Sequence, residues 1–474
     1  MGRGRDSRRR RGRAPSLSQL LAAASADAGD AGIDPELDAD GIRRTVGTCL
    51  DLAARMLAAG YETRVVQLIV AAALARLGVP GSAVDIDGRI VVVEVSGSEI
   101  GEFSMTRVAS GVGAWDLERM SRLDVLVRGI LDGRIDRETA GRLVRRAPAA
   151  PSGRWPIIAL GGAVLAGSIA FQTYGDWMSV PAAMLLFLVT WAIGQLLAAW
   201  SLPAFYRIVL QSGVAVLLAG TAVHLGLLDE VPAISAAAAS ILLVLPIPAV
   251  VSLAEDAVTG FPGTAADRSV TVIAAFLGAV AGAVLASAVV RDLVLDDTWT
   301  HVATFPLPAL GAVAAGIVGA LGNALFNNGP LRLLWPAAIA GLVAGLINML
   351  GQRELGLPGI LTVAVAAVAL GALANLLAGV ARVPASAIVV TGVTGALLPG
   401  LDVVRGLTLE LSSRGAGVEA LLSALATTAV IGVGVVLGVL AVSRTMAGVA
   451  ASRVPGRAED VGGTAAGPGV GGRA

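Results

Sequence analysis

Hydrophobic positions follow two different rules along this chain. From Ile42 onward, apolar residues recur three and four apart at Val46, Cys49, Leu50, Ala53, Met56 and Leu57, one face of an amphipathic helix, and the pattern stops at Gly60. A second helix fits ETRVVQLIVAAALARLG, closed by Gly78. The spacing then becomes alternating in SAVDIDGRIVVVEVS, where Asp87-Gly88 predicts a hairpin turn. Further helices are expected in WDLERMSRLDVLVRGILDG and, with Asp136 as its cap, in RETAGRLVRRA. Residues 41–147 thus read as a small water-soluble α+β domain, preceded by a basic tail at 1–40 that lacks sustained periodicity and reads as disordered.

Beyond a linker at 148–155 the polar positions nearly vanish. Apolar stretches, each about 20 residues and so long enough to cross a hydrocarbon core, are expected near 156–174, 178–200, 205–228, 232–254, 269–290, 304–326, 333–351, 357–379, 384–404 and 418–442. The fold class expected is an α-helical polytopic membrane protein. Its ten spans divide into five (156–298) and five (299–445), with a disordered tail at 446–474. An odd number of spans per half places the second half upside down relative to the first, an inverted repeat. Arg142, Arg145, Arg146, Arg154, Arg207, Arg268, Arg332, Arg382 and Arg444 fall at one set of ends, which puts both termini in the cytoplasm of a plasma-membrane protein. Trp155, Trp177, Trp200, Trp299 and Trp335 lie at or near span ends, as an interfacial belt requires.

Two of these stretches break their own pattern. Pro246 and Pro248 interrupt ILLVLPIPAVVSLAEDAVTG, with Ser252, Glu255 and Asp256 following. Pro399-Gly400 ends the run that contains Thr394, with Asp402 and Arg405 next. Proline removes a backbone donor and breaks the helix, and a broken backbone is tolerated in lipid only inside protein or beside a wet cavity. Paired broken helices at matching places in two halves mark a transporter's binding site. In this reading Asp256 or Asp402 binds a proton or a substrate ammonium, and Arg405 and freed N–H groups take a carboxylate. Ser252 or Thr394 bonds a substrate hydroxyl. Two to three turns past the first break, Glu255 and Asp256 stand either in a cavity or at the cytoplasmic boundary; Asp402 and Arg405 alternatively neutralise each other as an i,i+3 pair. Asn323, Asn348 and Asn375 read as interhelical hydrogen-bonding residues, and His224 and His301 as interfacial.

Composition agrees and excludes other chemistry. Hydrophobic residues make up 55% of 474, charged residues 15%, and the formal net charge is zero. The arginines of MGRGRDSRRRRGR read as a cytoplasmic end that fixes orientation against the lipid bilayer rather than as a nucleic-acid site. That tail carries no signal-peptide pattern. One cysteine, Cys49, and two histidines supply no zinc site or Cys/His catalytic pair, and neither histidine lies in 41–147 to build a hydrolase triad. GVGAW and GGTAAGPGVGG lack a strand-to-helix context for a nucleotide, so neither cofactor nor metal is expected.

The combination of LAARMLAAGYETRVVQLIVAAALARLG, GRIDRETAGRLV before the membrane, and ten spans resembles the threonine/serine exporter family of bacteria and fungi over roughly residues 45–445. The family pattern of a Pro-Gly, an acid, a glycine and an arginine falls on Pro246, Asp256, Gly260 and Arg268, with Ile247 in place of the glycine; the second Pro-Gly is intact at Pro399-Gly400. The resemblance implies proton-coupled export of small hydroxy amino acids and no enzymatic activity. A channel, a membrane scaffold, or a membrane-anchored hydrolase using the soluble domain are the alternatives, and homo-oligomerisation is left open.

Overall fold

A computed structural model describes residues 32–97, 101–110, 115–147, 154–174, 176–294, 309–397 and 418–451, with scattered positions outside them. Pro399, Gly400, Asp402, Arg405, Trp299, His301 and most of both tails lie outside the described residues.

Helix α1 (Ala39–Ala59) begins where the Asp38 carboxylate accepts the Gly41 N–H at 2.6 Å, and stops at Gly60, whose φ of +99° is left-handed. All seven residues of the expected apolar stripe, Cys49 among them, are buried. Burial of the Cys49 thiol pushes its pKa up to about 12, so it is an inert core group. Helix α2 (Thr63–Arg76) packs on α1. Strands β1 (Ala83–Asp87) and β2 (Ile90–Gly97) form the expected hairpin, with Asp87 opposite Ile90 and Gly88 at φ +56° in its two-residue turn. A third antiparallel strand, β3 (Gly101–Val108), pairs with β2 and sets Phe103 opposite Val95 and Met105 opposite Val93. The sequence reading lacks it because its remaining residues are mostly exposed and polar, as an edge strand permits. Helices α3 (Leu117–Leu131) and α4 (Arg137–Arg146) complete this part, capped by Asp116 and Asp136.

The apolar part consists of α5 (Trp155–Tyr174), α6 (Ser179–Ala199), α7 (Ala204–His224), α8 (Glu230–Val244), α9 (Ile247–Thr259), α10 (Pro262–Val294), α11 (Ala309–Phe326), α12 (Leu331–Met349), α13 (Gly359–Ala381), α14 (Ala385–Ala396) and α15 (Val418–Ala451). Among the described residues, seven helices are long and apolar enough to cross a membrane, or eight if the bent pair α8–α9 counts as one span; α11 and α14 are shorter. Burial is inverted relative to a soluble core. On α10, Ala275, Ala279, Ala283 and Ala286 are buried, whereas Val270, Ile273, Leu277 and Leu285 face outward. Small residues let backbones approach where lipid supplies no hydrophobic drive for packing. At the α7–α10 crossing a Cβ on Gly282 would collide with the Val209 carbonyl, so only glycine fits. Asn323 donates to the Val390 carbonyl at 3.1 Å and Asn375 to Val439 at 3.3 Å, both between helices; Asn348 instead accepts from Gln352 on the same chain segment.

Candidate functional site

Pro246 makes the break between α8 and α9. Its φ of −79° and ψ of 65°, with Ile247 N–H donating to the Leu245 carbonyl at 2.9 Å, form an inverse γ-turn that bends the helix axis by 52°. Pro248, the second residue of α9, offers no donor to the Val244 carbonyl one turn back. The free amides expected at this half-helix start are not there. Ile247 N–H is held in the γ-turn, and the N–H groups of Ala249 and Val250 both donate to the Pro246 carbonyl. The break therefore exposes acceptors rather than a carboxylate-binding nest, which suits a cation or an ammonium better than an anion.

Helix α9 runs from this break toward the α+β part, and about two to three turns separate Pro246 from Glu255 at 1.5 Å per residue. Against α9 stands the start of α2. Asp256 Oδ1 accepts the Thr63 N–H at 3.3 Å, and Asp256 Oδ2 lies 3.2 Å from Nε of Arg268 on α10. Arg268 also reaches the Tyr61 carbonyl at 3.4 Å. Asp256 is fully buried, Arg268 nearly so, and Glu255 is only 7% exposed. Glu62, the N-cap residue of α2, does not cap its own helix. Its carboxyl instead meets that of Glu255, with the Ser386 hydroxyl of α14 in reach. Desolvation first, then the Asp256 charge, push the Glu62 pKa up to about 7, against an opposing pull from Arg268.

The two acids thus lie at the boundary between the membrane helices and the α+β part, covered by it. Ser252, one turn earlier on α9, and Thr394 on α14 are buried, and neither hydroxyl has a hydrogen-bond partner among the described residues. Gln172 donates to the Gly395 carbonyl at 3.0 Å, next to Thr394. Helices α9 and α14 pack on one another, which brings the segment from Pro246 to Asp256 and the segment ending at Thr394 into one region. Pro399, Gly400, Asp402 and Arg405 lie outside the described residues. Glu62 and Thr63 enter the sequence analysis only as the start of the second helix, not as site residues. The available signal was a glutamate at an N-cap, where Ser, Thr, Asp or Asn is preferred.

The seam continues on both sides. Gly88 N–H at the hairpin tip donates to Thr264 Oγ1 at 3.1 Å, Leu117 N–H donates to the Asn327 carbonyl at 3.0 Å, and Asn328 donates to Asp116 Oδ1 at 3.0 Å. A cavity of about 290 Å³ opens at the seam between Gly60, Arg89 and Trp115 on one side and Ala249, Asp267 and Arg268 on the other.

Residues 47–290 match the family described as "Putative threonine/serine exporter". Two curated relatives are similar. "Probable threonine/serine exporter" of Mycobacterium tuberculosis (strain ATCC 25618 / H37Rv) is 29% identical over 338 residues, 68% of this chain and 62% of the relative. "Threonine/serine exporter" of Corynebacterium glutamicum is 28% identical over 342 residues, 68% of this chain and 67% of the relative. The chain thus spans a little over three fifths of the first relative's length and two thirds of the second's. No solved structure matches.

Proposed function

The chain belongs to the threonine/serine exporter family, and from that premise we propose that it carries small hydroxy amino acids, threonine or serine, out of the cell in exchange for protons. The observation that carries the reading is the proline-broken α8–α9 pair, which leads within three turns to two buried carboxylates and one arginine. Buried charge inside a membrane protein is costly and marks a substrate or proton path. In this proposal the chain crosses the plasma membrane ten times as two inverted halves, 156–298 and 299–445, with α11 and α14 as short spans. Both termini and the α+β domain at 41–147 are cytoplasmic.

Within that arrangement the acceptors left by Pro246 and Pro248 and the carboxylates of Asp256 or Asp402 take the substrate ammonium. Ser252 and Thr394 take its hydroxyl, and Arg405 its carboxylate; Pro399-Gly400 supplies the second break. The test is radiolabelled threonine and serine flux in proteoliposomes holding the full chain, with and without an imposed proton gradient. Uphill flux that collapses with the gradient supports the reading. Flux that persists in uncoupled vesicles overturns proton coupling, and passive flux of both substrates down their gradients points to a channel.

A further inference from the structure

We propose that the cavity at the seam binds a free zwitterionic amino acid with a small polar side chain, its carboxylate on Arg89 and its ammonium on Asp267, ahead of the broken helix. What the amino acid does after binding there rests on the exporter reading; that a zwitterion binds there does not.

The hairpin tip puts Arg89 in place. Gly88 and Arg89 are the two turn residues between β1 and β2, and the turn is tied on both sides. Gly88 N–H donates to Thr264 Oγ1 of α10 at 3.1 Å, and the Arg89 carbonyl accepts the Ala109 N–H at 2.7 Å. A Cβ on Gly88 would stand 3.9 Å from the Asp267 side chain, so the tip sets Arg89 beside the first turns of α10. Asp267 and Thr271 lie one turn apart on that helix, and both line the cavity. The facing wall belongs to the α+β part. There α1 ends at Gly60, and the Trp115 indole lies so close that a Cβ on Gly60 would meet it at 3.0 Å. The lining extends to Ala249 in the first turn of α9, whose N–H closes on the Pro246 carbonyl. A ligand here therefore stands one helical turn from the break.

Three charged side chains line this space, and one of them is already neutralised. Arg268 lies 3.2 Å from Asp256 and donates to the Tyr61 carbonyl at 3.4 Å. Arg89 and Asp267 are exposed, and among the described residues neither has an ion pair or a side-chain hydrogen bond. One cation and one anion thus share a cavity without holding each other. A simple anion drawn to Arg89 also meets Asp267, and a simple cation drawn to Asp267 also meets Arg89. A zwitterion meets an opposite charge at each end, in charge-assisted hydrogen bonds. The volume of about 290 Å³ sits at the small end of the range for small-molecule sites, which suits an amino acid and excludes a nucleotide or a peptide. Trp115 and Ala249 offer apolar cover to the ligand's carbon atoms. The Thr271 hydroxyl, whose proton goes to the Asp267 carbonyl at 3.4 Å, keeps its lone pairs for a ligand hydroxyl. In an exporter this is an entry site on the cytoplasmic side, filled before the substrate reaches Ser252 and Thr394.

Alkylation of a cysteine placed in the cavity reads this site alone. Thr271→Cys in a Cys49→Ser background, as the full chain in lipid nanodiscs, is treated with a small maleimide while ligand is added. Serine should slow the reaction in a saturable way. Glycerate, which lacks the ammonium, and ethanolamine, which lacks the carboxylate, should each need about tenfold more for half protection, the value of one charged hydrogen bond. Adding Arg89→Gln should weaken serine to the level of ethanolamine, and adding Asp267→Asn should weaken it to the level of glycerate. Arg64→Gln, at an exposed arginine that lines a different groove, should change nothing. Absence of protection by serine, glycerate as effective as serine, or serine protection unchanged in both cavity variants overturns the site. Serine protection in protein that carries neither threonine nor serine across the membrane defeats the exporter reading alone, and proton-driven flux without protection defeats the site alone.

Discussion

Asp256, on a helix broken inside the membrane part, accepts the N–H of Thr63, the first residue of a helix in the α+β part, at 3.3 Å. A buried carboxylate in one part of the chain thus terminates a helix in another, and Arg268 holds that carboxylate from its second oxygen. The arrangement explains why the acid stands so far past the break. Its partners are at the seam, where the α+β part covers the helix ends.

Breaking this pair from one side should cost far more than removing both partners. Arg268→Met leaves Asp256 buried and uncompensated, a penalty of about 3–5 kcal/mol. The double variant Asp256→Asn with Arg268→Met removes the charge along with its partner and should recover much of the loss. Thermal unfolding in a fixed detergent checks this. Equal losses in the single and double variants would show that the pair contributes through shape rather than charge.

The α7–α10 crossing gives a prediction independent of function. Gly282→Ala puts a methyl against the Val209 carbonyl, so the helices must separate, at about 1–3 kcal/mol. Gly359→Ala, at the open start of α13 where the nearest side-chain atom is 3.9 Å away, should leave stability within error. Comparing the two melting curves isolates close approach from a general effect of losing glycine.

Local pattern carried most of the fold, and what it missed depends on distance along the chain. The stripe from Ile42 to Leu57, the Asp136 cap and the hairpin turn beside Asp87 were legible because each is set by residues within a turn or two of one another. The α8–α9 break was legible for the same reason, since Pro246 acts on its own turn. The amides at the break were misjudged because Ile247, Ala249 and Val250 close back on local carbonyls, a tighter turn than a helix start. Glu62 and Glu255 are 193 positions apart in sequence, like Thr63 and Asp256, and no periodicity links them. Strand β3 escaped because an edge strand with one modestly apolar face alternates weakly.

Restoring a backbone donor at the break should separate stability from transport. Pro248→Ala supplies an N–H to the Val244 carbonyl, and with Pro246→Ala the pair should straighten toward one continuous helix. The double variant should unfold no earlier than wild type if the pair straightens, because both positions then become interior to one helix, where alanine is favoured over proline. Threonine flux should fall strongly, since the acceptors that the break exposes are then occupied. Full flux in a demonstrably folded double variant would detach the break from the transport path.

The buried hydroxyls of Ser252 and Thr394 give the sharpest separation of structural from functional roles. Neither has a hydrogen-bond partner among the described residues, so each costs desolvation without evident return in the fold. Ser252→Ala and Thr394→Val should accordingly leave the melting temperature unchanged or raise it slightly. If the hydroxyls instead meet the substrate's own hydroxyl, the same variants should lose discrimination between threonine and its isostere valine. A site built to bond a hydroxyl rejects the analogue lacking it because its polar groups are left unpaired, and without those groups the rejection fades. The measurement is competition of unlabelled valine against labelled threonine in proteoliposomes. Wild-type selectivity in both variants at equal protein abundance would place the hydroxyl contact elsewhere, and reduced stability in both would mark these groups as structural.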